Sequence, residues 1–159
     1  MSTHPDTPSP RIPYWYLWTD ETGVSRQRRC TLSEFEFASI SAPAGPQWLG
    51  RKHTAQMTLL LTVLPAGWLG SWHENPKPQW IIPVSGRWFV ESMDGQRVEM
   101  GPGELSFGAD QGTRERDGRR GHLSGTVGSA PAVLMLIQLE QAHVMSSQAD
   151  QGDPPCPFR

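Results

Sequence analysis

At 159 residues the chain has room for one domain and not for a second independent core. Sixteen Asp and Glu against fourteen Lys and Arg leave a net charge of -2, which excludes the strongly basic surface of a nucleic-acid binder. No apolar run approaches the roughly 20 residues that span a bilayer, and the polar, Pro-rich start lacks the apolar stretch of a secretory leader, so a cytoplasmic protein without membrane contact is expected.

Sixteen Gly and fifteen Pro cut the chain into short pieces, which disfavours long helices and favours an all-β fold. Residues 1–11 carry little to bury and are expected to be disordered. Ile12 to Trp18 packs Tyr14, Trp15, Tyr16 and Trp18 together, a segment suited to docking on the main body or on a second subunit. Thr31 to Ile40 alternates Phe35 and Phe37 with polar neighbours, as a half-buried strand does. Ser41 to Gln47 reads as a loop. Gln56 to Leu64 reads as a strand ending in the turn Pro65-Ala66-Gly67.

Strands then follow at close spacing. Trp80 to Val84 and Arg87 to Met93 flank Ser85-Gly86, and Asp94-Gly95 predicts a two-residue type I′ turn into Gln96 to Met100. Gly101-Pro102-Gly103 ends that strand, and Glu104 to Phe107 begins another. Ala132 to Leu139 is an apolar run of buried-strand length. Leu139 to Ser146 is the remaining helix candidate, and residues 146–159 resemble the first eleven in composition, so a disordered tail is expected there. Cys30 and Cys156 lie far apart, and their placement indicates neither a disulfide framework nor a Cys-based zinc site. Many short strands with turns between them predict an antiparallel sandwich or barrel of jelly-roll type over residues 12–145.

Charge concentrates in Asp110 to Arg120, which holds Arg114, Arg116, Arg119 and Arg120 and no apolar side chain. Two readings stand: a solvated loop, or an Arg-bearing lid that contacts an anionic ligand beside a pocket.

The segment Gly67 to Gly86 carries the most specific spacing. It resembles the first motif of the cupin superfamily, G-x5-H-x-H-x3,4-E-x6-G, with Gly67, His73 and Gly86 in place, Asn75 where the second His would be and Gln79 where the Glu would be. A looser second motif starts at Gly103, has Ala109 in the place of its Pro, and after the Arg-rich insertion reaches Gly121-His122, with Thr126 at the Asn position. The resemblance implies a small single-domain cupin, a jelly-roll barrel with His73, Asn75, Gln79 and His122 facing one interior. In that arrangement they would hold a divalent transition metal such as Fe, Mn, Ni or Zn, more weakly than a full cupin site because amides replace an imidazole and a carboxylate. The same four residues could instead satisfy one another by hydrogen bonds.

Trp72, Trp80 and Trp88 are either pocket wall, together with Arg114, or core; alternation predicts Trp80 and Ile82 on one face of their strand and Gln79 and Ile81 on the other. Glu74 is expected to point outward. No G-x-S-x-G elbow and no phosphate-binding glycine loop occurs. The functional expectations are therefore a metal-dependent cupin enzyme of dioxygenase or isomerase kind, a metal-free binding or sensor cupin for a small molecule, or a metal-independent isomerase with His73 or His122 as base and no visible acid partner. A homodimer through edge strands is expected with each.

Overall fold

A computed structural model of the chain describes residues 8–39, 46–50, 56–140 and 155–159. Eleven strands occur among them and no helix: β1 (Ile12–Thr19), β2 (Ser25–Leu32), β3 (Glu36–Ala38), β4 (Gln47–Leu49), β5 (Met57–Leu64), β6 (Gln79–Ser85), β7 (Trp88–Ser92), β8 (Arg97–Met100), β9 (Ser106–Ala109), β10 (His122–Thr126) and β11 (Ala132–Leu139). They form a six-stranded sheet in the order β2-β1-β9-β6-β11-β5, a three-stranded sheet β10-β7-β8, and a short β3-β4 ribbon. Among the described residues these sheets do not join into a closed barrel, and the β1–β9 pair is parallel where a purely antiparallel fold was expected.

Period-two alternation gives the six-stranded sheet two different faces. Its inner face contributes Leu17, Ile81, Ala132 and Leu134, which pack on Trp88, Val90, Val98 and Met100 from the three-stranded sheet. Its outer face carries Tyr14, Tyr16, Trp18, Cys30, Leu32, Trp80, Phe107 and Leu139. Trp80 and Ile81 thus fall on opposite faces, as the alternation predicts. Each fully covered ring or aliphatic chain contributes about 1.5–3 kcal/mol of transfer free energy.

Several local expectations need correction. Of the two places offered to the aromatic segment from Ile12, the structure shows the main body, and as a full member of it: as β1 the segment lies inside the sheet, between β2 and β9. β2 escapes a hydropathy reading because Arg26, Arg28 and Arg29 interrupt it, while Ser25 and Gln27 point inward, where the Ser25 hydroxyl and the Gln27 Nε2 donate hydrogen bonds to backbone carbonyls. The 31–40 strand splits, its first two residues ending β2 and Glu36–Ala38 forming β3. Leu139 closes β11, and most of the helix candidate that begins there lies outside the described residues.

The turn chemistry is exchanged between two sites. At Asp94-Gly95 only the glycine is left-handed, and the bonds Ser92 N to Gln96 O and Gly95 N to Ser92 O, both 2.9 Å, close a three-residue loop. The two-residue turn with both centres at positive φ is Asp117-Gly118, at 52° and 74°, inside the Arg-rich segment.

Residues 155–159 are packed, in contrast to the tail expected over 146–159, of which 146–154 lie outside the described residues. Cys156 is disulfide-bonded to Cys30, with the Cα atoms 5.8 Å apart and 126 residues between them in sequence. Composition missed this because a Pro-rich polar stretch has almost nothing to bury except Phe158, and that one ring sits on the outer aromatic cluster.

Candidate functional site

The site begins with one row of the inner face. Strand register places Gln138 opposite Gln79, Gln79 opposite Gly108, and Gly108 beside Leu17. Gly108 matters because it has no side chain: a Cβ there would lie 2.4 Å from Asn75 Nδ2, so the missing methyl makes room for the Asn75 amide over β9. Two residues on, with the same parity, Asp110 turns its carboxylate inward and is fully buried.

These side chains form one hydrogen-bonded chain. Gln138 Nε2 donates to Gln79 Oε1 (2.9 Å), Gln79 Nε2 donates to Asn75 Oδ1 (2.6 Å), and Asn75 Nδ2 donates to Asp110 Oδ1 (2.7 Å), which also accepts from the Asn75 backbone N–H (3.0 Å). The other carboxylate oxygen, Asp110 Oδ2, lies 2.7 Å from His122 Nδ1, with side-chain exposures of 0% and 4%. Burial pushes the Asp110 carboxyl upward, but the His122 hydrogen bond, the His122 charge and the two Asn75 donors outweigh it and hold the group below the ordinary carboxylate range. An ionised carboxylate only accepts, so His122 Nδ1 carries the proton and the free lone pair of a neutral ring is at Nε2.

His73 arrives by backbone pairing. His73 N donates to His122 O (3.0 Å) and His122 N to His73 O (2.8 Å), which sets the imidazoles side by side with centroids 4.5 Å apart. Gly121 permits this approach: at φ 71° it adopts a conformation that suits glycine, and a Cβ would stand 2.1 Å from His73 O. His73 Nδ1 lies 2.7 Å from Ser71 O, so it too holds its proton at Nδ1, and unlike His122 the residue is exposed.

The Arg-rich segment is tied down at several points. Thr113 N and Oγ1 both donate to Glu74 Oε1 (2.8 and 2.6 Å), Arg120 Nε reaches the same oxygen at 3.3 Å, and Arg114 N donates to Gly23 O (2.8 Å). Glu74 therefore points at this loop and is not a free outward side chain; Thr113 bonding and the Arg120 charge keep its carboxyl ionised to lower pH than usual against the effect of burial. The hairpin at Asp117-Gly118 places Arg116 and Arg119 beside a cavity of about 420 Å³ also lined by Val24, Arg26, Met93, Asp94 and Asp117. Ser25 joins this cavity to the histidine strand, accepting from Met93 N (2.8 Å) and donating to Gly121 O (2.5 Å).

The structure thus brings His73, Asn75, Gln79 and His122 together and adds Asp110 and Gln138. It does not bring the four expected pocket-wall residues together. Trp80 lies on the outer face, Trp88 is buried between the sheets, Trp72 is half-buried with the Arg119 guanidinium 5.3 Å from its ring, and Arg114 lies over Gly23. Asp110 was hidden in the sequence as the first residue of a charged loop, although it continues the Ser106-Gly108 alternation. Gln138 had a visible signal, the lone polar residue in AVLMLIQL.

Each amide oxygen accepts one hydrogen bond, Asn75 Oδ1 from Gln79 and Gln79 Oε1 from Gln138, which engages one of its two lone pairs, and both imidazoles turn Nδ1 to an oxygen acceptor, leaving Nε2 as the ring donor atom. Among the described residues no group of three or more His, Cys, Asp or Glu is placed to hold an ion. Among the described residues there is no helix long and apolar enough to cross a membrane.

No family model matches the chain, and no curated protein matches it. Among solved structures, the protein NMB1881 from Neisseria meningitidis is similar to it at a TM-score of 0.41 and 19% identity, over 65% of this chain and 92% of that one. A likeness of that size carries no argument about the site.

Proposed function

We propose that this chain is a cupin-type jelly-roll protein that binds a small molecule at His73 and His122, without requiring a metal, and that His122 exchanges a proton with the bound molecule through Nε2. One observation carries the reading: the buried contact of 2.7 Å between Asp110 Oδ2 and His122 Nδ1. A carboxylate in that position fixes the tautomer and orientation of the ring and stabilises its protonated form, as the orienting acid of a general-base histidine does. Asp110 is then a positioning residue, and the amide chain behind it fixes the carboxylate in turn. His73, exposed at the edge, forms the mouth of the site. A second copy paired along β5 belongs to the proposal, because Leu59, Leu61 and Val63 on that edge strand are 57%, 65% and 61% exposed.

The test is a thermal-shift screen of small carboxylic, sugar and cyclic metabolites on protein purified without a metal-chelating tag, alongside elemental analysis. Support comes from compounds whose stabilising effect vanishes in His122→Gln and weakens in Asp110→Asn, with no transition metal present. A stoichiometric metal that disappears in His73→Ala and His122→Ala would overturn the metal-free reading in favour of a divalent-metal cupin. Light scattering of the native protein checks the dimer.

A further inference from the structure

The outer face of β6 and β9, opposite the histidine site, holds a second construction. Trp80 and Phe107 lie with centroids 4.9 Å apart, Tyr14 meets Trp80 edge-on at 5.1 Å, and the Phe158 ring completes the group at 5.2 Å from Trp80 and 4.8 Å from Phe107. The Tyr14 hydroxyl reads the backbone that carries this ring. It donates to Phe158 O (3.1 Å) and accepts from Phe158 N (3.2 Å), so one side chain engages both polar groups of a single residue. Burial pushes the Tyr14 pKa up to about 12, which keeps the hydroxyl a donor throughout the neutral range.

An aromatic recess beside a hydroxyl that pairs with backbone N–H and C=O recognises one chemical class, an extended peptide bearing an aromatic side chain. The chain's own residues 155–159 occupy it, and two residues before Phe158 the Cys30–Cys156 bond ties that segment to β2. We propose that the recess is a peptide-binding site closed by its own tail, with the Cys30–Cys156 disulfide as its latch. The local effective concentration that the cross-link confers holds the segment in place; once the bond opens, the ring and hydrogen-bond contacts of so short a segment have to compete with water and with other peptides.

The opening step balances with a dithiol reductant. Its thiolate attacks Sγ of Cys156, the less buried of the two residues; Cys30 leaves as a thiolate and takes up a proton, and the reductant's second thiol displaces Cys156 as it closes its own disulfide. Two electrons pass from the reductant to the protein. A reducing cytosol keeps such a pair open and an oxidising compartment keeps it closed, so the state of the recess follows its surroundings.

The experiment uses the full chain, oxidised or treated with dithiothreitol. Amide exchange is followed at Phe158 and Arg159 and, as an internal control, at Trp80 to Ile82 and Phe107 in the sheet. Reduction should speed exchange at Phe158 about a hundredfold or more while the sheet amides stay slow. A synthetic peptide of residues 155–159 with serine in place of Cys156 should then quench tryptophan fluorescence saturably in the reduced protein and not in the oxidised one. Phe158→Ala, which keeps the latch but empties the recess, should admit the peptide even when oxidised. Unchanged protection of Phe158 on reduction would overturn the proposal. So would sheet amides that speed up together with the tail, which would make the bond a structural staple, or a reduced protein that ignores the peptide.

Discussion

β6, β9 and β11 carry two sites on opposite faces, and the faces are built by different physics. On the outer side Trp80, Phe107 and Phe158 hold one another by area and ring geometry, and a lost contact is diluted over the remaining ones. On the inner side Gln138, Gln79, Asn75, Asp110 and His122 hold one another by single directed bonds, so removing one member strands its neighbours. The protein therefore tolerates change unequally: the apolar face degrades gradually, whereas the polar one fails at single atoms.

The sharpest way to break that contrast is Asp110→Ala. It leaves the Asn75 donors and the His122 ring without their shared acceptor in a fully buried place, and about 3–5 kcal/mol of stability should be lost in urea unfolding. A cost below that of a comparable outer-face truncation such as Phe158→Ala would refute the idea that the inner chain is the more brittle.

Gly121→Ala should come next, at about 2–3 kcal/mol, because the new Cβ combines a disfavoured positive φ with a clash against the His73 carbonyl. Its signature is selective: amide exchange at His73 and His122 should quicken before that of β6 or β11. Uniform acceleration across both sheets would place the strain elsewhere.

Acid provides a graded version of the first test. The Asp110 carboxyl is held below its unfolded value of about 3.9, so its contribution is complete above that pH and is lost as pH falls through the folded value. The stability difference between the native protein and Asp110→Asn should therefore shrink as pH falls from about 5 toward 3. Glu74 is displaced in the same direction, which is why the difference between the two proteins, and not the raw acid curve of either, is the measurement that decides.

The smallest effect belongs to the hairpin. Arg116→Gln with Arg119→Gln should change stability by less than about 0.5 kcal/mol, since Arg116 donates to the Thr22 carbonyl at an exposed site and Arg119 lies against Trp72. A larger loss would mean that the loop supports the histidine strand through these side chains and not only through Thr113 and Glu74.

Much of the architecture is legible in the amino-acid sequence alone. Gly and Pro spacing indicated an all-β chain, and alternation placed Trp80 and Gln79 on opposite faces. The spacing from Gly67 to Gly86 and the pair Gly121-His122 singled out His73, Asn75, Gln79 and His122, which do meet. Local sequence could set these because strand parity and turn conformation depend on a few neighbouring residues. What it could not set is which strands are adjacent. Only tertiary structure decided that Asp110, in a stretch with no apolar side chain, turns inward onto His122, that the polar strand β2 borders the aromatic β1, and that Cys156 reaches Cys30 across 126 residues. Each of these is a contact between segments distant in the chain, favoured by what the partner offers and not by the residue's own propensity. A single sequence therefore reads Asp110 as solvated and Cys156 as free until the fold supplies the partner.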